Sequence, residues 1–271
     1  MIIDFHTHVF PDALAPKAGA RLSATAGFPM FSDLTVRGQL EVMREDGVDL
    51  AVVLNTVTNT RQVEKVNLFA VETAKSYPDL IVFGSVHPRG ENPVSVVERL
   101  HAEGIRGLKL HPDYLGIPFG DPVYHPVLEA AVLFDMPVVI HAGWDPVSPE
   151  KIHATPQAIK TVLDNFPALK LVCAHMGGMR LWDEVLAVLC GKNVWFDTAM
   201  CSERTGMHPA HGGGKHDPFE MRSTKGKRFN FLQSIRQNEI AVDQLTAQRI
   251  GRNVLHSRGY NVPTGDRKSV V

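Results

Sequence analysis

Over about its first 200 residues the chain alternates short apolar runs with amphipathic stretches, and the order is regular. Runs rich in Val, Ile and Leu occupy 2–5, 50–54, 80–86, 105–110, 137–140, 169–174 and 194–196, and helical spacing of apolar positions marks 36–45, 63–75, 93–102, 122–133, 156–165 and 181–189. The strand-like runs show little apolar–polar alternation, the pattern of strands buried on both faces beneath a cover of helices. Seven β-then-α units in succession favour closure over an open sheet. The predicted architecture is therefore a TIM-type (β/α)8 barrel, one domain over residues 1–271, with an irregular or degraded eighth unit.

Punctuation supports this division. Asn92-Pro93 and Asp121-Pro122 place a capping side chain just before a proline at the first helical position, and Gly104 and Gly191 follow helical stretches as C′ glycines should. Two connections after strands are long, 9–35 and 111–121, and on a barrel such loops build the mouth of the active site. The eighth unit breaks the regularity. From 202 to 230 the chain is rich in Gly, His, Lys and Arg with no clear buried strand, and helical spacing resumes only at 231–235 and 242–250.

Composition narrows the class without naming a chemistry. Apolar residues make up 44% and charged residues 21% of the chain, enough for a full core, and the net charge of −1 gives no broad attraction to nucleic acid or anionic lipid. No run of about 18 apolar residues occurs. The three cysteines (Cys173, Cys190 and Cys201) form no CxxC, and Met1-Ile2-Ile3-Asp4 enters a strand without a basic and apolar leader. The expected setting is the reducing cytoplasm. A small-molecule substrate is expected as partner, with no nucleic acid or membrane and with a homo-oligomer left open.

Polar residues at the predicted strand ends carry the chemical signal, because a barrel converges them on one mouth. Asp4-Phe5-His6-Thr7-His8 puts two imidazoles two residues apart on an extended chain, where i and i+2 share a face and can meet one ion. His141 ends the fifth strand in Ile140-His141-Ala142-Gly143, and His175 ends the sixth in Ala174-His175-Met176-Gly177-Gly178. Each of these alone could be a hydrogen-bonded rim histidine; four at the ends of three strands point to neutral imidazoles gathered for a divalent metal. Asp197 ends the seventh strand in Phe196-Asp197-Thr198, either as a functional carboxylate or as a helix cap. Lys109 and His111 share a face in Gly107-Leu108-Lys109-Leu110-His111-Pro112, with contact to substrate or plain solvation as the alternatives. His87, in Ser85-Val86-His87-Pro88, reads as structural.

With these motifs in this order, the chain resembles the amidohydrolase superfamily, and within it the amidohydrolase-2 branch of hydrolases and aromatic-acid decarboxylases. The resemblance implies that His6, His8 and His141 bind a divalent metal, Zn with Mn as the alternative, and that His175 and Asp197 act in catalysis. Lys109 and His111 are then expected beside substrate. The implied reaction is hydrolysis of a small amide, lactone or ester by water activated on the ion; the alternative is non-oxidative decarboxylation of a small aromatic or unsaturated acid. TatD-type nucleases share the HxH start but carry a glutamate where this chain has Lys109, and PHP-type phosphoesterases need other His and Asp spacings.

The resemblance fails at one place. The family ends its eighth strand in an aspartate, usually within a Phe-Gly-Ser/Thr-Asp run, and this chain has none. His211-Gly212-Gly213-Gly214-Lys215 looks like the lead-in to that strand, and Asp217 is the best in-chain substitute. The gap motivates a rival reading, a catalytically inactive barrel. A reading-frame disturbance would explain a match that fails and then recovers. The coding DNA tests this: an alternative frame across codons 205–230 that encodes an apolar strand ending in Asp is the expected result, and its absence makes the segment a true divergence.

Overall fold

The computed structural model describes residues 2–201, apart from 28, together with the strand segments 220–222 and 228–230. Seven parallel strands follow in chain order: β1 (Ile3–Thr7), β2 (Leu50–Leu54), β3 (Leu80–Phe83), β4 (Leu108–Leu110), β5 (Val138–Ile140), β6 (Leu171–Cys173) and β7 (Trp195–Phe196). They pair as β1-β2-β3 and β4-β5-β6-β7, and the two groups are joined where Gly84 bridges Leu108 in parallel sense. Gly84 N–H donates to Gly107 O at 3.0 Å and Lys109 N–H to Gly84 O at 2.8 Å. The strand order is thus the sequence order throughout, each strand beside its predecessor.

The covering helices are α1 (Ala15–Ala26), α2 (Val36–Asp46), α3 (Val63–Ser76), α4 (Pro93–Ala102), α5 (Pro112–Leu115), α6 (His125–Leu133), α7 (Pro156–Asn165) and α8 (Trp182–Val188). Most match the apolar periodicity to within a residue or two. The segment 122–133 divides into a short 3-10 turn at Pro122–Tyr124 and α6. Helix α1 arises inside the connection read as a loop. Among its residues only Ala15 is buried. Of the two expected proline-linked caps, Asp121 accepts the Val123 N–H at 2.9 Å, whereas Asn92 makes no capping hydrogen bond.

Two separate apolar clusters show how the sheet curls. Ala51, Val53, Leu80, Val82, Leu108, Leu110, Val138, Ile140, Leu171 and Cys173 pack outward against the helices. Alternate residues of the same strands face the other way: Ile3, Phe5, Val52, Leu54, Ile81, Phe83, Val139, Val172 and Trp195 form one contiguous inner cluster. One cluster fed by strands from β1 to β7 is the filled interior of a barrel, not the face of a flat sheet. It also fills the barrel below the strand ends, beneath the carboxyl-terminal mouth.

Of the expected irregular eighth unit only two short strands fall among the described residues. Strands β8 (Glu220–Arg222) and β9 (Arg228–Asn230) pair antiparallel with each other, and no strand ladder joins β7 to β1 among the described residues. The lead-in at 211–215, Asp217 and the helical patterns at 231–235 and 242–250 lie outside the described residues.

Gly143, in the turn after β5, shows why this turn needs glycine. Its φ is +87°, and a Cβ there would lie 2.1 Å from the Met179 backbone nitrogen. Gly104 shares φ +87° but faces open space. The left-handed conformation costs a non-glycine residue about 1–2 kcal/mol by itself. Gly143→Ala is therefore expected to lower the thermal midpoint well beyond Gly104→Ala, the difference measuring the close approach of the two loops. Equal midpoints would show that the loops part without cost.

Candidate metal and catalytic site

Strand parity decides which side chains reach the mouth, and at β1 it has to be switched. Ile3 and Phe5 face the interior, so strict alternation would turn His6 and His8 outward. The pairing register changes from Asp4↔Ala51 to Thr7↔Val53, three steps on β1 against two on β2. This bulge moves Thr7 to the outer face, where its hydroxyl donates to Val52 O at 2.9 Å, and brings His6 and His8 inward. Lys109, between outward Leu108 and Leu110, faces inward without such help, and so do His111, His141 and Asp197 by parity with Lys109, Val139 and Trp195. His175 is re-aimed by its own backbone, with φ +58° followed by φ +57° at Met176, an uncommon conformation for side-chain-bearing residues.

The hydrogen bonds assign the tautomers. His6 Nδ1–H donates to Asp197 Oδ2 at 2.8 Å, and His8 Nδ1–H donates to Leu54 O at 2.8 Å. With both rings neutral, the form in which imidazole binds a metal, both Nε2 atoms carry lone pairs, and they face each other at 3.2 Å. Two lone pairs at that distance repel unless a cation lies between them. Two imidazole nitrogens on one tetrahedral ion, at about 2.0–2.1 Å each, stand roughly 3.3 Å apart. The pair therefore fits a divalent metal, and the outward Nδ1 contacts are the supports that ligand histidines need.

Asp197 is fully committed. Besides His6 it accepts His175 N–H at 2.9 Å and Ala199 N–H at 3.1 Å on Oδ1, so it both holds the first histidine and caps the turn after β6. Burial alone would raise its pKa, but the interactions with His6 and the His175 N–H outweigh that and hold the carboxyl far below the usual range. His175 Nδ1–H donates to Ala199 O at 2.8 Å, which leaves its Nε2 to accept from His141 Nδ1–H at 3.0 Å. The five rings of His8, His6, His175, His141 and His111 form a chain, with centroids 5.1, 5.5, 4.7 and 4.3 Å apart in that order. Tyr114 stacks on the far side of His111 at 3.7 Å.

The mouth thus brings together all seven residues expected there. His87 is not among them: its Nδ1 accepts the Arg89 N–H at 3.2 Å in a local turn. Two buried carboxylates escaped the sequence reading. Asp145 follows His141 by four residues, in His141-Ala142-Gly143-Trp144-Asp145, and its Oδ2 lies 3.6 Å from both His111 Nε2 and His141 Nε2. Only that spacing hinted at it. Asp113 accepts from Ser148 Oγ at 2.5 Å and pairs with His153 Nδ1 at 3.0 Å, fastening α5 to the loop after β5.

Burial and mutual repulsion keep four of these imidazoles neutral. His8, His111 and His141 are held well below the ordinary value, first by burial and then by neighbouring histidines and Lys109. His175 is lowered to about 4, again chiefly by burial. Burial also brings Lys109 down to about 8, against the pull of Asp197 and Asp145.

A family model described as amidohydrolase matches residues 3–232. No curated protein matches the sequence. Among solved structures, an uncharacterized TIM-barrel protein from Bordetella bronchiseptica is 18% identical with a TM-score of 0.56, over 74% of this chain and 76% of that one. The 4-oxalomesaconate hydratase of Rhodopseudomonas palustris is 18% identical with a TM-score of 0.51, over 93% of this chain and 94% of that one. A variant of the 5-carboxyvanillate decarboxylase of Novosphingobium aromaticivorans, solved with manganese and a nitrobenzoic acid, is 18% identical with a TM-score of 0.50, over 69% and 67%. At these identities the likeness shows the shared fold.

Neutral buried histidines make metal-free protein acid-sensitive, and the sign can be worked out. With a folded pKa of about 4 at His175 and about 6.5 unfolded, the unfolded chain binds more protons between those values, so stability falls as pH drops through that window. His175 alone accounts for roughly 3 kcal/mol at full effect, and His8, His111 and His141 act in the same direction. Asp145, raised to about 6 chiefly by burial, opposes them as one group against four. Urea midpoints of chelator-treated protein are expected to fall steadily from pH 7 to pH 4.5; a flat profile would contradict the buried neutral cluster.

Proposed function

This chain belongs to the amidohydrolase family, and on that premise we propose that it is a divalent-metal-dependent hydrolase of a small amide, lactone or ester. The observation that carries the reading is the pair of bare, facing Nε2 atoms of His6 and His8 at 3.2 Å. These two are the proposed ligands of the ion, Zn being the first choice for imidazole donors and Mn the second. When bound, such an ion lowers the pKa of water and polarises a carbonyl. His141, the third ligand expected from the sequence, turns Nδ1 to His175 and Nε2 toward Asp145.

The chain's own residues do the rest. Asp197 positions His6 through its carboxylate, and Leu54 O does the same for His8. His175 handles the proton. Its Nδ1–H is anchored on Ala199 O, so a water or substrate group that displaces the His141 N–H meets a bare nitrogen at Nε2. Lys109 and His111 line the substrate side, and the Lys109 ammonium, fully buried yet mostly protonated at neutral pH, suits a carbonyl or carboxylate oxygen. The apolar plug beneath them excludes water from below.

That buried ammonium favours one second reading, non-oxidative decarboxylation of a small aromatic or unsaturated acid. The fold likeness to a carboxyvanillate decarboxylase is in keeping with it. Product analysis separates the two: acid release from lactones, esters or amides supports the first, and carbon dioxide release from aromatic acids the second.

Metal content tests the common premise. Purified protein is expected to hold Zn or Mn stoichiometrically, and the His6→Ala, His8→Ala double variant to lose the ion held by that pair together with all turnover. Full metal retention in a folded double variant would overturn the site. His175→Gln is expected to keep the ion and lose about 10²–10⁴-fold in kcat, the usual range for a proton-transfer residue.

A further inference from the structure

Away from the histidine cluster, one cation at the barrel mouth stands without a carboxylate. Arg180 lies on the loop after β6, and its Cζ sits 3.4 Å from the centre of the Trp144 ring. At that separation the guanidinium lies flat on the indole, because an edge-on group would drive a nitrogen into the ring. Its N–H groups therefore point sideways, in the plane of the fork. Among the described residues no carboxylate or carbonyl takes them, and the side chain is exposed.

The backbone is arranged to keep it there. Trp144 N–H donates to Met179 O and Met179 N–H to Ala142 O, both at 2.9 Å, which fastens the loops after β5 and β6 to each other. Trp144 directly precedes Asp145, whose Oδ2 stands 3.6 Å from His111 Nε2 and His141 Nε2, so the stacked pair borders the mouth. Arg180 itself is left-handed, with φ +63°, a conformation that suits glycine and strains a long side chain. An exposed cation–π contact is too weak to offset much of that strain. The stack is the one specific contact of this side chain among the described residues, so packing does not explain an arginine here. Backbone strain of this kind gathers where proteins handle ligands.

We propose that Arg180, laid flat on Trp144, anchors a carboxylate that the substrate carries at a distance from the bond that is broken. A planar fork with parallel N–H groups free matches the two oxygens of a carboxylate. The indole removes water from one face of the cation and fixes its plane, so little freedom is lost when the anion arrives. Lys109 is buried within β4, whereas Arg180 is exposed on a loop beyond the strand ends. The two cations thus meet groups at different depths, an oxygen of the reacting group below and a remote carboxylate above. The substrate class is then a small acid whose ester, lactone or amide bond lies several atoms from a free carboxylate. This rests on the hydrolytic reading of the mouth given above and narrows it.

Two measurements on the metal-loaded full chain test this. The first compares hydrolysis of the mono-nitrophenyl ester of glutaric acid with that of nitrophenyl butyrate, which is uncharged and of similar length. Wild type is expected to favour the acidic ester, and Arg180→Ala to lower that preference in kcat/KM by about 10–100-fold, the usual loss for a charge-assisted pair. The second titrates glutarate and follows tryptophan fluorescence, with Trp144→Phe identifying the reporter. Arg180→Ala is expected to weaken glutarate binding by a similar factor. Arg180→Gly, unstrained at φ +63°, guards against misfolding and is expected to keep the wild-type thermal midpoint while repeating both losses. A midpoint well below wild type would make the arginine structural and overturn the anchor. Unchanged glutarate binding and ester preference in Arg180→Gly would do the same, as would a wild type that neither binds glutarate nor favours the acidic ester. Glutarate bound through Arg180 with no ester cleaved overturns the hydrolase reading and leaves the anchor. Both esters cleaved with the same preference in wild type and Arg180→Ala overturns the anchor and leaves that reading.

Discussion

The hydrogen bond from His6 to Asp197 holds the working end of the molecule together. β1 and β7 stand at the two ends of the strand order, and no ladder joins them among the described residues. Their carboxyl ends nevertheless meet through His6 Nδ1 and Asp197 Oδ2 at 2.8 Å, with both side chains buried. One contact thereby serves three purposes. It links the first strand to the last of the seven, turns His6 Nε2 into the mouth, and spreads the Asp197 charge over His6 and two backbone N–H groups. Replacing either partner would leave the other buried without its hydrogen bond, the costly case for a polar pair.

Much of this arrangement was legible in the sequence because it follows from period and position. Buried parallel strands announce themselves as unbroken Val and Ile runs, and residues at their ends must converge once the sheet curls. Hence the strand series and the seven mouth residues could be read before any coordinates. What could not be read falls into two kinds. The β1 bulge between Asp4 and Thr7 has no residue signature, and simple alternation would have sent His6 and His8 away from the interior that holds Ile3 and Phe5. The expectation that i and i+2 share a face was sound, but which face depended on a backbone irregularity. Likewise Asp145 sits on a loop and Asp113 in the single turn of α5, where no period exists to place them, and α1 buries only Ala15.

Asp197 illustrates a different limit. The sequence offers it as a functional carboxylate or as a cap; the side chain holds His6 with one oxygen and caps a turn with the other. A carboxylate has about four acceptor positions, and a crowded barrel mouth uses several of them. The missing strand-eight aspartate is therefore not the only route to negative charge here, since Asp197 and Asp145 already place two buried carboxylates against the histidines and Lys109.

Burial first, and Lys109 beside it, explain why so many imidazoles can wait unprotonated. An ammonium buried among five histidines is unfavourable for stability, and Asp197 and Asp145 compensate its charge from two sides. In return it repels protons from His8, His111, His141 and His175, each of which is lowered in part by Lys109. A protonated imidazole cannot bind a metal ion. Holding the rings neutral through the physiological range, while outward contacts such as Leu54 O and Ala199 O take their N–H groups, leaves the inward lone pairs ready and repelling one another. A cation that binds there would meet nitrogen lone pairs already freed for it, with no proton to displace.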